Sequence, residues 1–175
     1  MSSPRPGFRI EPLGRIHNRA SFTCGEEALD RYLREQAGQD VRRRVAAVFV
    51  LVQVTDGRLA GYYTLSSASL SSDDLPPEMT RTLPRYPCLP ATLLGWLAVD
   101  ARFRGQGLGE LLLLDALRRA WQVTAQIGSL WVIVDAGNDR ARQFYARYGF
   151  LSLPDSPMRL FLPMRTIEAL FIRNA

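Results

Sequence analysis

Short apolar segments separated by turn residues occupy the first third of the chain. The stretch FRIEPL at 8–13 alternates between apolar and polar positions, which predicts a first strand. Segments 46–54 and 58–66 flank Thr55-Asp56-Gly57, and an Asp-Gly pair between two apolar runs is typical of a β-hairpin turn. The pattern therefore predicts a single strand, followed later by a hairpin.

Between the first strand and the hairpin, apolar positions recur at helical spacing. Leu29, Leu33 and Ala37 follow one another every four residues, acidic residues stand at the start of the segment, and Gly38 follows it. The pattern predicts an amphipathic helix over 26–38, with Gly38 marking its end.

A proline-rich stretch lies at 70–90. Its five prolines are Pro76, Pro77, Pro84, Pro87 and Pro90. Proline lacks a backbone N–H and restricts the residue that precedes it. This stretch is therefore expected to be mostly loop, with one short helical turn.

In the second half of the chain, strands alternate with helices. Segment 91–100 is apolar on both faces, which favours a central strand, and 129–136 is predicted to be a second central strand. A helix is expected to begin in the glycine-rich stretch 103–110 and to end near Thr124. A shorter helix is expected over 138–149.

The chain ends with short elements. Asn138 is the expected N-cap of the 138–149 helix and Gly149 its C-cap. Segments 150–153 and 159–163 are predicted to be a closing pair of strands. TIEALF, at 166–171, is expected to form a final helical turn.

The order of these elements indicates a mixed α/β sheet in a single domain over 1–175. No apolar run reaches the roughly 18–20 residues that span a bilayer, and the N-terminal residues contain no apolar secretory segment. The expected location is therefore the cytoplasm, with no membrane partner.

One residue type, arginine, supplies all the basic side chains of the chain apart from the single histidine. The formal net charge is +5, and all 22 basic residues are arginine. Codon bias in a GC-rich genome explains such a composition. The excess also suits a polyanionic ligand, because the guanidinium fork matches phosphate geometry. A chain without lysine would further be protected against its own activity if it modified amines.

Cysteine and histidine are too few for a metal centre. Cys24 and Cys88 are isolated from each other, and His17 is the one histidine of the sequence. No zinc-binding spacing and no histidine-based triad can be built from these residues, so no metal is expected. Structural roles are expected for Cys24 and His17.

Three alternating glycines, Gly105, Gly107 and Gly109, stand between the strand 91–100 and the following helix. Free N–H groups at the start of a helix attract anions, and glycines let the backbone approach the ligand. A nucleotide P-loop is excluded because no Gly-Lys-Ser/Thr follows. The dinucleotide fingerprint fails because its last glycine would fall at Glu110. The glycines could also simply form a tight turn.

The spacing Arg104-x-x-Gly107-x-Gly109 resembles the R/Q-x-x-G-x-G/A loop of the GNAT superfamily of N-acetyltransferases, which bind acetyl-coenzyme A. LAVD, directly before it, resembles the fourth strand of that family. VDAGNDRARQFYARYGF, at 134–150, resembles its fifth strand and following helix. The resemblance implies a central, mostly antiparallel sheet that is splayed between its fourth and fifth strands and flanked by helices.

The resemblance also implies the residues of a coenzyme site. Strand backbone at 97–99 would pair with the pantetheine arm, the N–H groups of the glycine turn would hold the pyrophosphate, and Asn138 would lie beside the pantetheine arm. The residues expected to bind acetyl-coenzyme A are Leu97, Ala98, Val99, Arg104, Gly105, Gln106, Gly107, Leu108, Gly109, Glu110, Asn138 and Phe144. Tyr145 is the expected catalytic residue, which protonates the departing thiolate.

Further stretches resemble one branch of the superfamily, the GNAT toxins of bacterial type II toxin–antitoxin pairs. They are FTCGEEALDRYLREQAGQD, GYYTLSS, PATLLGWLAVD and RLFLPMRTIEALF. The resemblance implies acetylation of the α-amino group of aminoacyl-tRNA, inhibition by a ribbon-helix-helix antitoxin, and a homodimer. Arginines expected to contact tRNA are Arg42, Arg43, Arg44, Arg81, Arg85, Arg140, Arg142 and Arg147.

An α-amine fits a site with few bases. Its pKa lies near 7.7–8, so part of it is already neutral at physiological pH, whereas a lysine ε-amine would need a stronger base. Two alternatives stay open. The chain could acetylate a small amine or a protein N-terminus, or it could bind the coenzyme as a regulator without turnover.

Overall fold

A computed structural model describes residues 5–173 of the chain. Its strands are β1 Phe8–Pro12, β2 Ala47–Gln53, β3 Leu59–Ser71, β4 Cys88–Val99, β5 Trp131–Asp135, β6 Leu151–Leu153 and β7 Ser156–Pro163. Its α-helices are α1 Glu27–Arg31, α2 Ala37–Arg43, α3 Pro77–Thr80, α4 Leu108–Val123, α5 Asp139–Arg147 and α6 Met164–Ile172. Every predicted strand and helix is present, with several changed boundaries.

The strands form one mixed sheet in the order β1-β2-β3-β4-β5-β7-β6. β1 and β2 pair antiparallel, as do β2 and β3, β5 and β7, and β6 and β7, whereas β4 and β5 run parallel. The β4–β5 register extends from Ala91 opposite Trp131 to Leu94 opposite Val134, although β4 continues to Val99. The predicted fold class is therefore confirmed, including the splay between the fourth and fifth strands.

The chain divides into two compact units. The first unit contains the described residues up to Ser66 together with Gly95–Ala116, and the second contains Ser67–Leu94 with the described residues from Leu117 onward. In the first unit, the helical segment between β1 and β2 packs on the sheet. The buried residues of this core are Phe22, Cys24, Tyr32, Leu33, Ala37, Val48, Val50, Val52, Leu59, Tyr62 and Ala98.

The helix predicted over 26–38 is longer than expected and does not end at Gly38. A π-helical turn, Tyr32–Gln36, joins α1 to α2, and the left-handed residue that ends α2 is Arg44, with φ +59°. In an α-helix of 3.6 residues per turn, residues spaced four apart shift gradually around the helix axis. The wider π turn compensates for this shift, so that Leu33 and Ala37 both stay fully buried.

Gly38 does not end the helix; it lets the Arg19 side chain pack closely against the backbone. A Cβ at this position would lie 3.1 Å from Nη1 of Arg19. The same Nη1 donates a hydrogen bond of 3.1 Å to the carbonyl of Leu33, whose usual partner, the N–H of Ala37, bonds to Tyr32 across the π turn. The prediction was wrong because a glycine that admits a neighbouring side chain looks the same in sequence as a glycine that ends a helix.

The strands around the proline-rich stretch are longer than predicted. β3 continues to Ser71 and β4 begins at Cys88, while the predicted short helical turn is present as α3. Leu70 and Leu89 lie in one core of the second unit with Trp131, so the extension of both strands buries apolar side chains that a loop would expose. Between residues 5 and 173, no helix combines the length and apolar character needed to cross a bilayer.

Candidate functional site

The glycine turn of the first unit has a backbone that only glycine adopts at low cost. A 3₁₀ turn, Ala101–Phe103, follows β4, and α4 begins at Leu108. Between them, Gly105 and Gly107 have φ values of +77° and +71°. Other L-residues strongly disfavour this region, because the Cβ approaches the backbone carbonyl.

The turn presents a row of backbone N–H donors whose acceptors are not found in the described part of the chain. The first N–H of this region that bonds back into the helix belongs to Leu111, which donates to the Gly107 carbonyl at 3.2 Å. Among residues 5–173, no acceptor is found for the backbone N–H groups of Gln106, Gly107, Leu108, Gly109 and Glu110. The left-handed glycines 105 and 107 together with the N-terminus of a 16-residue helix make a nest suited to a phosphate anion.

Asp100 fixes the entrance of the turn. Its buried carboxylate accepts hydrogen bonds from the backbone N–H groups of Thr23 at 3.1 Å and Arg102 at 2.9 Å. The Arg102 guanidinium forms an ion pair with it at 2.8 Å. Burial alone would raise the pKa of Asp100, but the hydrogen bonds from Arg102 and Thr23 outweigh burial and lower it. This role was missed at the sequence level, where Asp100 was taken only as the end of a strand.

Arg104 is the basic residue of the motif, and its guanidinium donates a hydrogen bond to the carbonyl of Cys24. Gly25 permits this contact, since a Cβ there would lie 2.8 Å from Nη2 of Arg104. Arg104 thus joins the segment before α1 to the glycine turn, and its contact with the pyrophosphate stays a prediction.

The Cys24 thiol is protonated at neutral pH. Burial is the largest cause and a hydrogen bond with Asp30 the second, and together they raise the pKa of this thiol to about 11.

The backbone of β4 departs from a regular ladder beyond its pairing with β5. The N–H of Trp96 donates to the side-chain hydroxyl of Thr64 at 3.0 Å. Ala98 is buried, and a Cβ on Gly61 would lie only 2.8 Å from the Ala98 carbonyl. Glycine at position 61 therefore permits this close approach. The predicted pantetheine residues lie in this part of β4.

Tyr145 lies in the second unit, where the end of α5 fixes its position. The C-cap is Tyr148, one residue before the predicted Gly149. Gly149 follows it in the left-handed conformation, with φ +91°, and its N–H donates to the Ala146 carbonyl at 3.1 Å. The N–H of Phe150 donates to the Tyr145 carbonyl at 3.3 Å, and the two rings meet edge-on, with centroids 5.4 Å apart. This is a Schellman motif with its hydrophobic contact, so the FYxxxGF pattern encodes the helix end that holds Tyr145.

The Tyr145 side chain is suited to hold a proton. Only 8% of the residue is exposed, and burial raises the pKa of its phenol further above neutrality. No hydrogen bond from its hydroxyl to another residue within 5–173 is present. The hydroxyl is therefore protonated at neutral pH and not committed to a partner in the described part of the chain.

Two other residues predicted to bind the coenzyme, Asn138 and Phe144, precede Tyr145 along the chain. Asn138 is confirmed as the N-cap, with its side-chain oxygen accepting from the Ala141 N–H at 2.8 Å. Phe144 is half-buried, and its ring centroid lies 5.2 Å from those of both Tyr145 and Tyr148. The roles of Asn138 and Phe144 towards a coenzyme stay predictions.

The predicted tRNA-contacting arginines lie in separate groups. Arg42, Arg43 and Arg44 follow one another at the end of α2 in the first unit. In the second unit, Arg81 and Arg85 line a groove of about 750 Å³ formed by the proline-rich stretch. Arg140, Arg142 and Arg147 belong to α5; Arg142 pairs with Asp139 at 3.3 Å, and Arg147 lies 5.9 Å from the Phe144 ring centroid.

His17 contributes to local structure, as expected. Its Nδ1 accepts a hydrogen bond from the Gly14 N–H at 2.9 Å, and its Nε2 lies 2.7 Å from a Glu11 carboxylate oxygen. Both ring nitrogens are therefore engaged within the segment around β1. Across residues 5–173, no group of three or more His, Cys, Asp or Glu side chains is arranged to hold a metal ion.

A glycine turn before the helix that follows the fourth strand, a parallel pairing of the fourth and fifth strands, and a buried tyrosine near the end of the next helix are the features that the resemblance to the GNAT family predicts. The sequence model described as the Acetyltransferase (GNAT) family matches residues 13–150. The chain belongs to this family.

Several proteins similar to this chain are toxins. The probable toxin TacT of Sinorhizobium fredii is 35% identical over 92% of this chain and 93% of its own length. A tRNA-acetylating toxin of Mycobacterium tuberculosis is 39% identical over 86% of this chain and 88% of its own length. The structure of AtaT complexed with acetyl-methionyl-tRNAfMet has a TM-score of 0.87 at 30% identity, covering 94% of this chain and 99% of that chain. AtaT has also been solved with its antitoxin AtaR, and AtaTR with acetyl-coenzyme A.

We expect Gly107→Ala to weaken acetyl-coenzyme A binding about tenfold or more, because a methyl group would enter the nest and the backbone would be strained. The matched control is Gly105→Ala. It carries the same backbone strain, at φ +77° against +71°, but its Cβ meets no atom within 4 Å, whereas that of Gly107 meets Arg5 at 3.2 Å. Calorimetric titration of both variants measures the difference. Equal losses would show that strain, and not obstruction of the nest, controls affinity.

Proposed function

We propose that this chain is an acetyl-coenzyme A-dependent N-acetyltransferase that acetylates the α-amino group of aminoacyl-tRNA and so blocks translation. The observation that carries this proposal is its identity of 39%, over most of both chains, with a tRNA-acetylating toxin. The likeness to AtaT, which has been solved with an acetylated aminoacyl-tRNA, supports the same substrate class.

The first unit supplies the coenzyme-binding groups of this proposal. The N–H groups of the glycine turn (Gln106 to Glu110) have no acceptor within residues 5–173, which suits the pyrophosphate. The β4 backbone at 97–99 continues past the end of the β4–β5 pairing, which suits the amide-bearing pantetheine arm. The coenzyme supplies an acetyl group that is activated as a thioester.

In this proposal Tyr145 holds a proton at Oη for the departing sulfur. Transfer forms an amide on the amine nitrogen, breaks the carbon–sulfur bond, and leaves a thiolate that takes the proton. Burial keeps the phenol protonated until charge develops on sulfur. The attacking α-amine loses its own proton to water, and since its pKa is near neutrality no strong protein base is needed.

The arginine groups at the end of α2, in the groove of the second unit and on α5 are proposed to contact tRNA phosphates. Phosphate contacts position a nucleic acid without reading its sequence. We also propose control by a ribbon-helix-helix antitoxin, a homodimeric state and a cytoplasmic location. The complex of AtaT with AtaR supports an antitoxin partner, and a tRNA substrate favours the cytoplasm.

The test is acetyl transfer to charged tRNA, followed by the release of free coenzyme A thiol and by labelling of the RNA. Labelled acetyl is expected on aminoacyl-tRNA, and none on uncharged tRNA or on formylated methionyl-tRNA, whose α-amine is blocked. Turnover with polyamines or peptide N-termini, but not with charged tRNA, would overturn the substrate. Coenzyme binding without turnover on any amine would instead indicate a regulator.

A further inference from the structure

An arginine that the sequence motif does not include lies against the glycine turn. Nη2, Nη1 and Cζ of Arg5 are 3.2, 3.4 and 3.6 Å from the position that a Cβ on Gly107 would occupy. Both residues belong to the first unit, so the guanidinium approaches the same backbone whose N–H groups have no acceptor among the described residues. Gly107 is therefore open both to a ligand and to this side chain.

Backbone hydrogen bonds at the beginning of β1 hold the main chain of Arg5 near the glycine turn. The N–H of Phe8 donates to the Arg5 carbonyl at 3.0 Å, and the N–H of Val54 donates to the Gly7 carbonyl at 2.9 Å. The Phe8 ring meets the Phe103 ring edge-on, with centroids 5.9 Å apart. Because Phe103 ends the 3₁₀ turn that leads into the glycine turn, this contact ties the segment after Arg5 to the nest.

The polar groups at this place, an exposed guanidinium and backbone N–H groups, are all donors that favour an anion. The Arg5 guanidinium has no hydrogen bond and no ion pair with another residue in 5–173. It lies beside backbone N–H groups, which are also donors and carry the positive end of the α4 dipole. Two sets of donors with the same electrostatic sign cannot satisfy each other, whereas a pyrophosphate has acceptor oxygens for both.

We propose that Arg5 is a binding residue for the coenzyme pyrophosphate, acting together with the backbone N–H groups of the glycine turn. This inference rests on the proposed function, since it requires that the chain binds a coenzyme A thioester. Arg104, the arginine within the motif, already donates to the Cys24 carbonyl, whereas the Arg5 guanidinium beside the nest has no acceptor among residues 5–173.

The test compares Arg5→Ala with Arg15→Ala by calorimetric titration of the full chain. Arg15 is also an exposed arginine of the first unit, and it forms no hydrogen bond or ion pair with the glycine turn, so its variant controls for the loss of one positive charge. Three ligands are used: coenzyme A, 3′-dephospho-coenzyme A, and pantetheine, which has no pyrophosphate. Arg5→Ala is expected to weaken the first two roughly five- to twentyfold and pantetheine less than twofold. Arg15→Ala is expected to leave all three unchanged.

Each other outcome has a definite meaning. A loss confined to coenzyme A would place Arg5 on the 3′-phosphate and overturn the pyrophosphate assignment. Unchanged or tighter binding in Arg5→Ala, with normal binding by the wild type, would overturn the inference and leave the proposed function intact. A wild type that binds neither coenzyme form would overturn the proposed function itself. In turnover assays the expected change is a higher KM for acetyl-coenzyme A with an unchanged kcat.

Discussion

Replacing Tyr145 with phenylalanine is expected to lower kcat for acetyl transfer by about 100- to 10,000-fold, the usual range for loss of a positioned general acid. The change removes one oxygen atom. The ring contacts to Phe144 and Phe150, at 5.2 and 5.4 Å, are retained, and no hydrogen bond within the described residues is lost. The Kd for acetyl-coenzyme A and the melting temperature should therefore stay close to the wild-type values.

Tyr148→Phe is the matched control for this experiment. Tyr148 follows α5 and is half-buried, but it lies at the C-cap and is not assigned to the reaction. Single-turnover kinetics with preloaded coenzyme separate the chemical step from binding. If Tyr145→Phe retained most of the wild-type single-turnover rate, the proton would have to come from another group or from water. If it lost coenzyme binding as well, Tyr145 would act through structure.

Asp100→Ala is expected to lower the free energy of unfolding by about 3 kcal/mol, which corresponds to roughly 6–12 °C in melting temperature for a chain of this size. The buried carboxylate accepts hydrogen bonds from the backbone N–H groups of Thr23 and Arg102 and pairs with the Arg102 guanidinium. Removal leaves the two backbone N–H groups without this acceptor, and the Arg102 guanidinium keeps only its hydrogen bond to the Ser21 carbonyl, at 3.2 Å. Because Asp100 also fixes the entrance of the glycine turn, coenzyme affinity should fall together with stability. Denaturant unfolding and calorimetric titration measure the two effects.

The stability loss at Asp100 should depend on pH in a defined direction. The pKa of Asp100 is lowered in the folded protein, so its stabilising contribution is present above the unfolded value of about 3.9 and is lost as pH falls through the folded value. The gap between wild type and Asp100→Ala should therefore be full at pH 7 and narrow in strong acid. Glu35→Ala removes an exposed carboxylate that has no side-chain partner within residues 5–173 and should show little loss at either pH. A gap that stays constant into strong acid would show that the charge of Asp100 does not stabilise the fold.

Local sequence patterns predicted the parts of the site whose geometry is also local. Arg104-x-x-Gly107-x-Gly109 places glycine where the backbone is left-handed, just before a helix N-terminus, and this requirement is met within a few residues. The FYxxxGF pattern likewise contains every residue of the helix end that positions Tyr145. Such motifs can be read without the fold, because the atoms that interact are neighbours along the chain.

Element boundaries were less accessible to sequence patterns. Gly38 looked like a helix end, but it admits the Arg19 side chain, and the chain leaves the helix at Arg44 instead. The extension of β3 to Ser71 passes through a serine-rich stretch with little intrinsic preference for a strand. In both cases packing partners from distant parts of the sequence decided the outcome.

The sequence by itself determined the family, the order of strands and helices, the glycine turn and the tyrosine, because each of these depends on short-range backbone preferences and on the period of apolar residues. Only the tertiary structure decided that Asp100 binds the backbone of Thr23, that Arg104 is held by the Cys24 carbonyl, and that Arg5 lies against Gly107. These contacts join residues that are far apart along the chain. Their partners are chosen by the folding of the sheet and not by any local pattern.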